Sequence, residues 1–313
     1  MRILLSGASS FTGAWFARSL AEGGHEVVAA LASAEGNEAY TGVRARRVAL
    51  LKAHCKVAFA APFGSEAFLS LMESLKPFDR LCHHWAQVTL YRSPDFDVFA
   101  ALAANSRNLV RVLRVMRECG SSALVLTGSV FEPDEGIGNE PLAAFNPYGL
   151  SKGLTRQVFA YYAKREGVAF DRFVIANPFG PLEEPRFTDH LMKSWFAGKT
   201  AEVKTPRYVR DNIPVDLLAR AYAAFVTSAA PGGRRLGPSF YAETQGAFAE
   251  RVARAVRARL SLPCALSFAE QKAFPEPQIR INTDFPDAAL LGWNEEAAWD
   301  AFVRYYEELY GGR

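Results

Sequence analysis

The sequence predicts an α/β fold, a doubly wound parallel sheet with a smaller C-terminal substrate lobe, and three observations point to it. Apolar strand-like runs and amphipathic helical runs alternate from the N-terminus to about residue 180, and repeated βα alternation builds a parallel sheet covered on both faces. The first strand runs straight into a glycine turn and a helix, the opening of a βαβ unit that holds phosphate at a helix N-terminus. Beyond Gly180 the alternation loosens, so a second, smaller unit is expected there.

In chain order, residues 2–6 read as a short buried strand and Gly7-Ala8-Ser9-Ser10-Phe11-Thr12-Gly13 as the turn. A helix from Ala14 to Ala21 and a strand from His25 to Leu31 follow. Together these form a dinucleotide-binding signature of the Rossmann type. Ser10 stands where the usual pattern has its middle glycine, so its backbone either avoids φ > 0 or is held by its own hydroxyl. The end of the second strand, Val27 to Ser33, carries no Asp or Glu for a ribose diol. That absence favours NADP over NAD, with Ser33 and one of Arg44, Arg46 or Arg47 meeting a 2′-phosphate; the arginines also read as a solvated face.

Lys56 to Ala60 and Arg80 to His84 read as strands, and Glu66 to Leu75 as an amphipathic helix. A long helix from Phe96 to Glu118 leads to the apolar strand Ser122 to Thr127. His83-His84-Trp85-Ala86-Gln87 and Thr127-Gly128-Ser129 therefore lie at strand carboxyl ends, where ligands bind in such sheets. His83 and His84 have no third metal-ligating partner, so no metal site is expected.

In the stretch NPYGLSK, residues 146–152, Tyr148 and Lys152 stand one helical turn apart on a shared face. An ordinary phenol titrates near pH ~10. A neighbouring ammonium lowers that value and suits the tyrosine to general acid or base work.

Past Gly180, helices are expected at Thr188 to Ala197, at 215–228 and at Glu295 to Tyr310. In the last of these, Trp299, Phe302, Tyr305, Tyr306 and Tyr310 have core spacing. Proline-rich residues 275–286 read as an ordered loop bridging two lobes. The expected division is a dinucleotide-binding domain, 1–180 with 206–236 returning to it, and a substrate lobe, 181–205 with 237–313.

Bulk properties exclude several classes. Of 313 residues, 36 are basic and 33 acidic, which offers no basic stripe for nucleic acid. The N-terminal apolar run is too short for a signal peptide or membrane span, so a cytoplasmic protein is expected. Four scattered cysteines imply neither a disulfide framework nor a zinc site.

These motifs together resemble the extended short-chain dehydrogenase/reductases, in the NAD(P)-dependent nucleotide-sugar epimerase/dehydratase branch. The residues that carry the resemblance are GASSFTG at 7–13, HHWAQ at 83–87, Asn105, LTGSVFE at 126–132, NPYGLSK at 146–152, NPFGP at 177–181, YVRDNIPVD at 208–216 and LGW at 291–293. The resemblance implies a catalytic set of Thr127, Tyr148, Lys152 and Asn105. It implies that Gly7, Ser10, Phe11 and Gly13 hold the cofactor pyrophosphate, that Ala86 lines the cofactor channel, that Lys152 binds the nicotinamide ribose, and that Ser9, Thr12, Ser33, Gln87, Tyr148 and Pro178 also belong to the cofactor site. Ser129, Asn177 and Arg210 would meet a nucleotide-sugar substrate, the arginine through bidentate contact with phosphate.

Departures from the branch narrow the chemistry. Its 4,6-dehydratases carry an Asp-Glu pair after the motif threonine, where this chain has Gly128 and Ser129. A keto-sugar reductase or an epimerase is expected instead. Glu132, Asp134 and Glu135 read as an exposed acidic loop. A catalytically silent NADP-binding regulator, or a reductase of a non-sugar carbonyl, stays open. A homodimer through helices 96–118 and 151–165 is possible, as the branch commonly forms.

Overall fold

A computed structural model describes residues 1–121 and 123–312. Ser122, the expected first residue of the strand before Thr127, lies outside the described residues. Chain order runs β1 (Arg2–Ser6), α1 (Phe11–Glu22), β2 (Glu26–Ala30), α2 (Gly42–His54), β3 (Lys56–Ala58), α3 (Glu66–Ser74), β4 (Arg80–His83), α4 (Val98–Asn105), α5 (Leu109–Glu118) and β5 (Ala123–Ser129). It continues with β6 (Ile137–Gly138), α6 (Pro147–Glu166), β7 (Ala169–Ile175), β8 (Asn177–Phe179), α7 (Phe187–Phe196), β9 (Ala201–Val203), β10 (Val209–Pro214) and α8 (Val215–Thr227). The last elements are β11 (Arg235–Leu236), β12 (Tyr241–Thr244), α9 (Gln245–Arg257), β13 (Leu266–Phe268), β14 (Ile279–Ile281) and α10 (Glu295–Tyr310).

Seven parallel strands form the main sheet in the order β11-β7-β5-β4-β1-β2-β3. The strand order turns outward on either side of β1, which opens a crevice above its carboxyl end, the usual ligand position in such sheets. Side chains alternate across the strands as a doubly covered sheet requires. Ile3 and Leu5 pack with Phe16, Leu20 and Tyr222 of α1 and α8. Leu4 packs on the other face with Phe68, Leu113 and Phe159 of α3, α5 and α6. This is the Rossmann-type fold that the βα alternation predicts.

A second sheet runs β12-β10-β14-β6, with β8 beside β10, and β13 pairs with β9. The aromatic face of α10 packs into a third core cluster with Trp195 and Phe248, as its spacing predicts. Among the described residues no helix is long and apolar enough to cross a membrane.

Two expectations about elements change. The long helix expected over 96–118 is two helices broken at 106–108, where Asn108 takes a left-handed φ of 50°. Its Nδ2 donates to the Gly64 carbonyl at 2.8 Å, and a Cβ on Gly64 would run into the Arg107 carbonyl. Close approach by the 60–65 loop thus accompanies the break. The proline-rich loop expected over 275–286 contains β14, which pairs with both β10 and β6.

Candidate active site

The glycine turn closes on the 84–85 segment. Gly7 has φ +77°, and a Cβ there would lie 2.5 Å from the Trp85 nitrogen; one on Gly13 would lie 3.0 Å from His84 Cδ2. Ser10 has φ −72° and ψ 167°, so it avoids the left-handed region. Its hydroxyl is engaged as well, donating to the Gly7 carbonyl at 2.9 Å and accepting from the Gly13 amide at 3.2 Å. Both alternatives raised for this position therefore hold, and Ser10 is the N-cap that starts α1 at Phe11, three residues earlier than expected. The first amides of a helix have no intrahelical acceptors and carry its positive dipole end. The glycines at 7 and 13 let the 84–85 segment close against the turn, and the amides at the start of α1 fit a dinucleotide pyrophosphate. Ser9 lies within the turn, Phe11 is buried in the first helical position, and Thr12 Oγ1 lies 2.9 Å from His84 Nε2.

His83 and His84 serve this framework. His83 Nδ1 lies 2.8 Å from Ser6 Oγ, and its Nε2 lies 3.2 Å from the Asn105 carbonyl. Burial first, and the nearby Lys152 charge second, push both imidazoles down to about 3. Both are neutral rings that tie the crevice floor together. Among the described residues no group of three His, Cys, Asp or Glu side chains is placed to hold a metal. Asn105, fully buried, accepts from the Gln87 amide at 2.8 Å and donates to Thr155 Oγ1 at 3.1 Å, so it fixes the loop that carries Ala86 and Gln87.

At the end of β2, Ser33 is tied through its backbone to the Tyr40 hydroxyl. Of the three nearby arginines, Arg47 is buried and donates to the Leu182 carbonyl and Glu184, while Arg46 pairs with Glu308 and stacks over Tyr305. Arg44 makes no ion pair among the described residues.

Asn146 caps α6 by accepting from the Gly149 amide at 2.9 Å, with Pro147 in the first helical position. Tyr148 and Lys152 thus open the helix one turn apart. The Tyr148 ring meets Tyr91 and Phe96 edge-on, at 5.5 and 6.0 Å between centroids. Lys152 Nζ donates to the Thr127 carbonyl at 2.6 Å. The acidified phenol expected from Lys152 is not what this geometry gives. Burial, followed by the charge of Glu132, holds Tyr148 well above its ordinary value, and the cation pulling it down is Arg186. Lys152 is itself pushed down by burial and supported by Glu132.

Thr127 is placed differently from the catalytic hydroxyl that the resemblance implies. It pairs in register with Phe173, whose ring packs on the α1 and α8 face, and its buried Oγ1 makes no hydrogen bond. Its carbonyl, not its Oγ1, is what meets Lys152. Ser129 Oγ accepts from the Phe131 amide at 3.2 Å. Pro178 is buried in register with Ile213, and Asn177 donates to the Asp211 carbonyl at 3.3 Å. Arg210 is engaged by the protein: it donates to the Val209, Pro277 and Gln278 carbonyls, pairs with Glu276 at 3.1 Å and stacks 4.3 Å over Tyr208.

The exposed acidic loop expected downstream is mostly buried. Glu132 and Glu135 are each 1% exposed, and Asp134 alone faces solvent. Glu135 is held by Arg156, Arg172 and Arg235. Glu132 Oε1 accepts from the Ser129 amide at 2.8 Å. Gly149 and Gly153 make room for this turn: a Cβ on the first would strike the Phe131 carbonyl, and one on the second would lie 2.7 Å from Pro133 Cδ. Two glycines one turn apart inside a helix were the available sequence signal. Arg186, Tyr91 and Phe96 had none, because each reaches Tyr148 from outside its motif.

Comparison with known proteins adds the following. Solved structures with similar folds include a UDP-glucuronic acid 4-epimerase from Bacillus cereus, at 16% identity over 99% of this chain and 100% of that chain, TM-score 0.73. A UDP-glucose 4-epimerase from Thermotoga maritima matches at 17% over 99% of each chain, TM-score 0.71. A dTDP-glucose 4,6-dehydratase from Streptomyces venezuelae matches at 18% over 100% of this chain and 98% of that one, TM-score 0.71. No curated protein matches the sequence. The model of the NAD dependent epimerase/dehydratase family matches residues 3–235, well over half of the chain, and the protein belongs to that family.

Proposed function

We propose that the protein is an NAD(P)-dependent oxidoreductase of a nucleotide-linked sugar, a keto-sugar reductase or an epimerase rather than a 4,6-dehydratase. One observation carries the reading: Tyr148 and Lys152 stand at the carboxyl end of β5, in the crevice whose floor, through His83 and His84, meets the glycine turn. A bound dinucleotide would supply the hydride donor or acceptor. Tyr148 gives or takes the hydroxyl proton at the reacting carbon. Lys152 is anchored on the Thr127 carbonyl one turn along α6, Arg186 is the cation that favours proton release from the phenol, and Tyr91 and Phe96 hold its ring edge-on. Positions 128 and 129 carry no acid and base of their own for elimination. The relatives above include enzymes solved with UDP-glucose and with UDP-glucuronic acid and NAD, which supports the substrate class. The uncharged end of β2, with Ser33 and Arg44, supports NADP. We take 1–180 with 206–236 as the cofactor domain and 181–205 with 237–313 as the substrate lobe.

A second reading, a non-sugar carbonyl, draws on Arg210. Its guanidinium is already held by Glu276 and three carbonyls, so a diphosphate would have to displace that carboxylate. Thermal shift against UDP-, dTDP-, GDP- and CDP-sugars separates the two, since a ligand of the native state raises the melting temperature. Tyr148→Phe is expected to lower kcat by about 100-fold or more with NADPH fluorescence titration unchanged. Full turnover in that variant would overturn the proposal.

A further inference from the structure

Glu132 lies beside the Tyr148–Lys152 pair, and the chemistry proposed above does not use it. Its Oε1 accepts from the Ser129 amide, while Lys152 Nζ donates to the Thr127 carbonyl. Those backbone groups flank Gly128, and residues two apart on a strand turn their peptide groups to the same edge. Carboxyl and ammonium therefore face the same edge of β5, anchored one residue apart. Because the residue between is glycine, the space is open: a Cβ at 128 would stand 3.0 Å from Glu132 Oε1. Glu132 Oε2 is buried without a hydrogen-bond partner, and Arg156 Nε, equally unpartnered, comes no nearer than 3.9 Å. Burying a carboxylate oxygen unpaired is destabilising. The turn is nonetheless held, in part by Arg280 of β14, which donates to the Glu132 carbonyl at 3.1 Å.

We propose that Glu132 is a positioning residue of the catalytic pair: its carboxyl, carried over Gly128, sets the charge against which Lys152 and Tyr148 hold and release protons. The proposal rests on the oxidoreductase reading, yet its main test needs no turnover. The charged groups around Glu132 are few. From α6 come Lys152 and Arg156, and from its own turn Glu135, which repels it. Glu135 is in turn paired to Arg172 of β7 and Arg235 of β11. Arg186, at the start of α7, and Tyr91 act on Tyr148. As a carboxylate, Glu132 raises the phenol and supports the ammonium. Removing its charge should therefore move both groups down and shift the working range of the pair to lower pH.

The test is the alkaline titration of the Lys152 ammonium, followed by NMR of 13C-labelled lysine and assigned by the signal lost in Lys152→Met. In Glu132→Gln, which keeps an acceptor for the Ser129 amide, the midpoint should fall by about one pH unit. Adding Gly128→Asp should return it toward the parental value by placing a carboxyl in the same space. Superimposable titrations in parent and Glu132→Gln would overturn the proposal. So would a folded Gly128→Asp/Glu132→Gln protein whose midpoint stays where Glu132→Gln left it. Should Glu132→Gln not fold, Gly128→Ala pushes a methyl against Oε1 and must move the midpoint; an unmoved midpoint overturns the proposal equally. With a turnover assay in hand, the kcat profile of Glu132→Gln should move to lower pH at near-constant KM, whereas a uniform loss of activity would indicate structure alone. These titrations remain readable even if Tyr148→Phe keeps full activity, so the two proposals fail separately.

Discussion

His83 and His84 stay neutral because a proton on either would be a charge buried beside Lys152. Their folded values, near 3, lie below the ordinary 6.5. Between those limits the unfolded chain binds protons that the folded chain does not, so stability falls as pH drops through that window. At pH 4.5 each fully neutral imidazole accounts for roughly 2 kcal/mol of loss relative to neutral pH. His84→Gln should narrow the difference in melting temperature between pH 7 and pH 4.5; an unchanged difference would mean that His84 takes a proton in the fold. At this scale the sequence was readable wherever the reason is local. The Tyr148–Lys152 spacing and the glycine turn follow from one turn of helix and one tight loop. The burial of Glu132 was not readable, since it depends on Arg280, 148 residues away, and on a glycine pair whose purpose shows only once the turn is packed against it.

Elements behave the same way. A glycine inside a helix ordinarily makes it less stable than alanine by about 1 kcal/mol, so Gly153→Ala would stabilise a free helix. In α6 the added methyl meets Pro133 at 2.7 Å. Overpacking of that kind costs about 1–3 kcal/mol. Denaturant unfolding of Gly153→Ala should therefore show a net loss of stability, and a gain would mean that the 131–133 turn yields easily. Strands and most helices were legible from apolar periodicity, and α10 was read to the residue. The break between α4 and α5 was not, because apolar spacing continues across it while Asn108 turns left-handed against the Gly64 loop.

Across the whole molecule, Arg280 joins the late part of the chain to the catalytic turn. It is fully buried and donates to the carbonyls of Val130, Glu132, Glu135 and Ala143 while stacking 5.0 Å over Phe145. Arg280→Met would fill similar volume and leave those buried carbonyls unpaired, at roughly 3 kcal/mol or more. Unfolding should show that loss together with reduced kcat; wild-type stability would show that the carbonyls find other donors. The alternation of strand and helix announced the main sheet, whereas the second sheet closes on β6, a strand of two residues, too brief for any periodicity.

That second sheet pairs residues 137–138 with residues 280–281. On a ribosome the first arrives well over a hundred residues before the second, and such distant pairings form slowly. The segment bearing the acid beside the phenol thus waits, unfinished, until residues 280–281 have emerged to pair with it.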